Sequence, residues 1–263
     1  MSYFLWIIDK IAPYFLRRYS ESKFNMILED DQIFDIAWDV AQRKEGLFVH
    51  LVVRNDGSLD AENALGFVID VEKLPKIVLK LSDKELADQR FEECKKFRNP
   101  VQLKWSHEEG YKPKTVYSAK LEKRPTRLDL CYVFRGENEF HLFTPHYPQG
   151  QIVQFGPGVY RLTVLVKWTG GKKTKKFIIY WEGNLKEFGI TEDVYGNDIR
   201  YLIREKKVVL SKCKDLISEA DSRYQETFLQ TDSTSTEPVQ WGPIETLGTS
   251  VTGSHVRDEE KAG

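Results

Sequence analysis

Two alternating runs and a glycine turn make up GPGVYRLTVLVKWTGGKKTKKFIIYW, residues 156–181. In the first run every second residue from Tyr160 to Trp168 is apolar, and the second run ends in alternating aromatic and aliphatic residues. Such period-two patterns of β-branched and aromatic residues are typical of strands. The Thr-Gly-Gly tripeptide at residues 169–171 favours a turn, because glycine accepts positive φ without steric cost. The sequence therefore predicts a long β-hairpin against which other strands pack.

Length and composition exclude several classes of protein. A chain of 263 residues with 41% apolar residues can build one sizeable domain with appendages. A formal net charge of -1 argues against a dedicated nucleic-acid binder, which would carry a basic excess. The three cysteines, Cys94, Cys131 and Cys213, do not suggest a disulfide framework, so we expect a cytoplasmic protein.

Residues 1–22 are predicted to form an amphipathic helix, because aromatic and aliphatic residues recur there at helical spacing and two arginines close the segment. A signal peptide would have basic residues before its apolar run and none within it, so that function is excluded. The segment could lie in a membrane interface, dock on the domain, or assemble a homo-oligomer. The residues expected to contact a membrane are Phe4, Trp6, Ile7, Ile8, Ile11, Phe15, Arg17 and Arg18.

The rest of the chain divides into three parts. Residues 23–190 contain a series of short alternating runs separated by turn signals, which predicts an all-β antiparallel sandwich. A capping box that begins at Ser82 predicts a helical insertion over residues 82–98. Helical spacing returns within residues 191–230. Residues 231–263 are rich in Ser, Thr and Gly and are predicted to be disordered, because they carry too little apolar surface to offset backbone ordering.

Two motifs refine the fold class. Tyr160 lies just inside a strand that follows Gly-Pro-Gly, which is the placement of a tyrosine corner in a sandwich. The pair VVRNDGSLDAENA, residues 52–64, and PGVYRLTVLV, residues 157–166, resembles prokaryotic immunoglobulin-like modules of the cell-adhesion-related bacterial (CARDB-like) type. The chain also looks like uncharacterised prokaryotic proteins with a hydrophobic N-terminal segment before one such domain. The resemblance covers residues 45–182 and implies an immunoglobulin-like β-sandwich with a non-enzymatic binding or scaffolding role, without catalytic residues or cofactors.

Candidate catalytic residues are few. His141 and His146 offer two zinc ligands, and with a carboxylate they would suit a metal-dependent hydrolase. However, His-x4-His is not a recognised ligand spacing, and the sequence has no CxxC, HExxH, GxSxG, P-loop or GxGxxG motif. We therefore predict a non-enzyme without a cofactor and keep the hydrolase as the alternative.

Five positive charges surround the predicted hairpin turn, at Lys167, Lys172, Lys173, Lys175 and Lys176. They could contact anionic lipid headgroups or an acidic protein partner, or they could simply protect the hairpin from edge-to-edge aggregation. Together with residues 1–22 they suggest a peripheral membrane protein. Our leading hypothesis is an interaction or scaffolding module whose protein partner the sequence does not identify.

Overall fold

The computed structural model describes residues 24–39, 43–57, 60–74, 90–106, 119–121, 124–144, 153–194, 196 and 198–232. Within these ranges the chain forms two antiparallel β-sheets, one α-helix and a short 3-10 turn. The helix predicted over residues 1–22 and nearly all of the predicted disordered tail lie outside the described residues.

Thirteen strands are found in the described residues. In chain order they are β1 (Phe24–Ile27), β2 (Phe34–Asp39), β3 (Lys44–Asn55), β4 (Ala61–Lys73), β5 (Glu92–Gln102), β6 (Lys104–Ser106), β7 (Ala119–Leu121), β8 (Thr126–Phe134), β9 (Phe140–Leu142), β10 (Gln154–Phe155), β11 (Gly158–Trp168), β12 (Gly171–Trp181) and β13 (Phe188–Glu192). The seven-stranded sheet has the order β1-β3-β8-β9-β10, with β2 also paired to β3 and β6 to β8. The six-stranded sheet has the order β13-β12-β11-β4-β5, with β7 also paired to β4.

The two sheets pack their inner faces around one hydrophobic core, so the expected all-β sandwich is found. Strand alternation sends every second side chain inward, and the apolar positions of the sequence coincide with those inner positions. The largest fully buried side chains include Trp105, Trp181, Tyr160, Tyr180, Phe34, Phe140, Phe177 and Phe188.

The predicted hairpin is confirmed. Its strands β11 and β12 pair along their whole length, from Gly158 opposite Trp181 to Trp168 opposite Gly171. The turn residue Gly170 has φ of 99°, a conformation that favours glycine. The hairpin occupies the middle of the six-stranded sheet, because β11 also pairs with β4 and β12 with β13.

The predicted tyrosine corner is also present. The phenol of Tyr160 donates a hydrogen bond of 2.7 Å to the carbonyl of Gly156, and the ring is buried. On the other face of β11, Arg161 and Thr163 are buried as well.

One helix, α1 (Ile199–Asp232), packs against β2 and β13, which belong to different sheets. It thus closes one side of the sandwich. Asp198 begins the helix by accepting a hydrogen bond from the backbone N–H of Tyr201. The helix buries residues at a spacing of three to four and its multiples, namely Ile199, Leu202, Val209, Cys213, Ile217 and Ala220. The helix predicted within residues 191–230 is confirmed from Ile199 onward, but residues 191–192 belong to β13, which the sequence did not predict.

The predicted helical insertion over residues 82–98 is wrong from residue 92 onward. That part of the chain begins β5, which pairs along the free edge of β4. The buried side chains of Phe97 and Val101 join the core from this strand. Local helix propensity is outweighed, because an unpaired edge of β4 and a core without these two side chains would both cost free energy. Residues 82–89 lie outside the described residues.

Candidate functional site

The end of the β11–β12 hairpin gathers exposed positive charge. Lys167 and Lys172 lie directly opposite each other and both are exposed, as is Lys173. We call these three residues the lysine tip. Like charges that face each other across a strand pair oppose folding, so their arrangement here does not serve the stability of the hairpin. It concentrates positive charge at one end of the molecule.

Lys175 and Lys176, the other two lysines of the predicted anionic contact, lie near carboxylates of the domain itself. Lys175 donates to the carbonyl of Met26 and forms an ion pair with Glu192, both at 2.6 Å. The ammonium of Lys176 lies 3.9 Å from a carboxylate oxygen of Glu72. These contacts fasten the hairpin to β1, β4 and β13, so the candidate anionic contact shrinks from five residues to three.

The start of β1 lies beside the lysine tip. The rings of Phe24 and Trp168 pack edge to face with their centroids 4.0 Å apart. Trp168 also covers Gly171, where a Cβ atom would come within 2.5 Å of its ring. Phe24, the first described residue, therefore lies beside the lysine tip. The eight predicted membrane-contact residues, between positions 4 and 18, lie outside the described residues.

A buried charge cluster lies on the outer face of the seven-stranded sheet. Nδ1 of His50 is 2.7 Å from Oδ1 of Asp129, and Nε2 is 3.2 Å from Oδ2 of Asp35, which also accepts from Arg127 at 2.8 Å. Burial lowers the pKa of His50, but the hydrogen bonds and charges of Asp129 and Asp35 outweigh it and raise the pKa to about 9. His50 is therefore an imidazolium at neutral pH.

Ser106 joins this cluster without forming a catalytic triad. Its hydroxyl donates a hydrogen bond to Oδ1 of Asp129. In a nucleophilic triad the imidazole lies between the hydroxyl and the carboxylate and takes the proton of the hydroxyl. Here the carboxylate lies in the middle, and His50 already holds both ring protons. The cluster can hold charge, but it cannot activate Ser106.

The alternative hypothesis, a hydrolase metal site, needs both His141 and His146, and of the two only His141 is among the described residues. His141 lies opposite Tyr132, and its Nε2 is 3.4 Å from Glu137. Cys131 is the neighbour of Tyr132 along β8 and therefore points to the opposite face, into the core. Burial also raises the pKa of the Cys131 thiol. No group of three ligating side chains within the described residues is placed to hold a metal, and His146 lies outside them.

Arg161 forms a second buried charge cluster, on the outer face of the six-stranded sheet. Its Nε is 2.8 Å from Oδ2 of Asp193, and Nη1 donates to Glu72 at 3.3 Å. Nη2 donates to the carbonyl of Gly196, and the guanidinium lies 3.8 Å from the ring centroid of Phe91. These contacts fasten two loops to β11. The sequence alone does not identify this cluster, and its one local signal is a charged residue within an otherwise apolar strand.

The lysine tip is the surface whose chemistry fits a ligand outside the chain, because the clusters around His50 and Arg161 are buried and paired internally. No helix in the described part of the chain is both long and apolar enough to cross a membrane. Comparisons of the chain with family models, with curated proteins and with solved structures found no match.

Proposed function

We propose that this chain is a non-enzymatic, immunoglobulin-like interaction or scaffolding module that binds peripherally to anionic membrane surfaces from the cytoplasmic side. The observation that carries the proposal is the contact between Phe24 and Trp168. It places Phe24, to which residues 1–22 are joined through residue 23, at the same end of the domain as Lys167, Lys172 and Lys173. The two-sheet fold and the hydrogen bond from Tyr160 to Gly156 support the immunoglobulin-like assignment.

Two weak anchors at one end bind much better than either alone. A lysine near an anionic surface contributes about 1 kcal/mol, so three give about 3 kcal/mol at low salt. An amphipathic segment adds apolar burial in the interface, with aromatic residues and terminal arginines placed as in residues 1–22. Because the segment joins the domain at Phe24, beside the lysine tip, the two anchors can engage one membrane together, and their affinities combine.

Co-flotation with lipid vesicles tests the proposal. We expect the full chain to float with vesicles that contain phosphatidylserine and to float much less with neutral vesicles. Removal of residues 1–22 should abolish flotation. Replacement of Lys167, Lys172 and Lys173 by Gln should lower partitioning up to about a hundredfold, since about 3 kcal/mol is lost.

A matched control separates position from net charge. Lys186, Lys207 and Lys214 are exposed and lie outside the lysine tip, so their replacement by Gln changes the net charge equally. This control should float like the unmodified chain. If the full chain fails to float at low salt, the membrane proposal is wrong. Light scattering with and without residues 1–22 would then test the alternative, a homo-oligomer assembled through that segment.

A further inference from the structure

An aromatic patch covers one half of the outer face of the seven-stranded sheet. It consists of Phe48, Tyr132, Phe134, His141 and Phe143. Neighbouring ring centroids are 5.0–6.1 Å apart, and the His141 ring stacks on Tyr132. The other half of the same face holds the His50 cluster. The outer face of this sheet is therefore charged in one half and aromatic in the other.

The outward side of this patch is only partly shielded by the described residues. Phe48 and Phe143 are half-buried, although both lie among aromatic neighbours. Aromatic side chains release the most free energy when they are fully buried, so the partly exposed rings of Phe48, Tyr132 and Phe143 are a candidate docking surface beside the buried rings of Phe134 and His141. Two cations stand at its margins, with Lys44 5.8 Å from the Phe134 ring and Lys104 5.4 Å from the Phe143 ring.

The patch lies near the place where α1 ends. Asp221 of α1 is 3.4 Å from Arg135, the residue that follows Phe134. From Asp221 the helix continues to Asp232, which is about 16 Å at 1.5 Å per residue. The nine residues from Asp232 to Trp241 then reach up to about 30 Å when extended. This length is sufficient for the chain to fold back over the patch.

The chain beyond α1 contains one short segment that suits such a surface. Residues 233–263 are mostly small and polar, and Trp241 is their sole aromatic residue. Pro238 and Pro243 flank the tryptophan, which lowers the entropy that the segment loses on ordering. Residues 237 and 245, four positions on either side of Trp241, are both glutamate and complement the ammonium of Lys104 at the margin of the patch, whereas Lys44 already pairs with Glu137 at 2.7 Å.

We propose that residues 237–245 of the same chain dock on the aromatic patch, with Trp241 packed against Phe48 and Phe143. A segment tethered this closely has an effective concentration in the millimolar range, so weak contacts are enough to hold it. This inference does not depend on membrane binding.

Fluorine NMR of the full chain labelled with 5-fluorotryptophan tests the proposal. The Trp241 resonance is identified by its loss in Trp241→Phe. We expect it to differ in position from that of a labelled peptide of residues 233–247, which serves as the undocked reference. In Phe48→Ala or Phe143→Ala it should move to the peptide position. Val208→Ala, which removes an exposed apolar group on α1, should leave it unchanged.

A second readout does not disturb the folded domain. Trp241→Ser changes only the segment beyond α1, so we expect it to shift the imidazole resonances of His141 and to leave those of His50 in place. The proposal is overturned if the Trp241 resonance of the unmodified chain lies at the peptide position, or if the His141 imidazole resonances do not shift in Trp241→Ser. A Trp241 shift that disappears on hundredfold dilution would also overturn it, because a second copy would then be the occupant.

Discussion

Nδ1 of His50 lies 2.7 Å from Oδ1 of Asp129, and more than nine-tenths of each side chain is buried. Because the folded pKa of His50 is raised to about 9 from an ordinary value of 6.5, its stabilisation is complete below pH 6.5 and is lost as the pH rises through about 9. The difference between the folded and the ordinary pKa of His50 corresponds to about 3 kcal/mol of stabilisation of the folded state. We expect the free energy of unfolding, measured with urea, to fall by about this amount between about pH 6 and about pH 10.

The His50→Gln variant provides the comparison for that pH dependence. It keeps a polar side chain in the cluster but has no titrating imidazole, so its free energy of unfolding should vary much less over the same range. Lysine and tyrosine titrations elsewhere are common to both proteins and cancel in the difference. Equal slopes for the two proteins would show that His50 is not charged in the folded state.

Asp193→Ala should be strongly destabilising. The change removes the carboxylate at 2.8 Å from the buried guanidinium of Arg161, which keeps Glu72 at 3.3 Å. Breaking a buried ion pair costs about 3–5 kcal/mol, and we expect a loss near the lower end of that range because Glu72 still compensates part of the charge. Chemical denaturation measures the loss. Arg161→Met combined with Asp193→Ala should recover part of it, because the double variant buries no charge. A loss below about 1 kcal/mol in the single variant would mean that water replaces the carboxylate.

Tyr160→Phe isolates the hydrogen bond of the tyrosine corner. The ring stays in the core, and only the 2.7 Å bond to the carbonyl of Gly156 is removed. We expect a loss of about 1 kcal/mol in the free energy of unfolding, which is typical of one buried hydrogen bond. Tyr160→Leu should cost more, since it also removes ring contacts with Phe140 and Phe155. Equal losses for the two variants would contradict this assignment.

Gly171→Ala should disturb the packing of Trp168. The added methyl would lie 2.5 Å from the indole, which must shift at a cost of about 1–3 kcal/mol. Gly156→Ala is the matched control, because no heavy atom lies within 4 Å of its Cβ position. Thermal unfolding compares the two variants. Similar melting temperatures would show that the indole moves without resistance and that its contact with Phe24 is loose.

The sequence predicted the strands whose pattern is purely local. Apolar alternation and a glycine turn were enough to predict β11 and β12. One tyrosine at the start of a strand was enough to predict the tyrosine corner at Tyr160. β5 was missed because its role depends on β4, which lies nearly twenty residues earlier and offers an edge to pair with. A capping box at Ser82 carries no information about that distant edge. β13 was missed because it is only five residues long and contains a glycine.

The charge clusters show the same limit. Asp129 is the one carboxylate in RLDLCYVF and His50 the one charged or polar residue in LFVHLVV, so each could be identified as an ionisable residue within a mainly apolar strand. Their partnership is a consequence of the pairing of β3 with β8, which sets His50 opposite Asp129 across 79 residues of sequence. The lysines illustrate the reverse case. All five were visible in the sequence, but only the structure separates Lys175 and Lys176 from the lysine tip.

The length of β3 fixes the distance between the two ends of the domain. Asn55 pairs with Phe24 beside the lysine tip, whereas Glu45, ten residues earlier, lies near the Arg135 contact with α1. At about 3.3 Å per residue these levels are about 33 Å apart. The contact between Arg135 and α1 is therefore held about one domain height away from Phe24 and the lysine tip, so a partner bound at one of these two places does not touch the other.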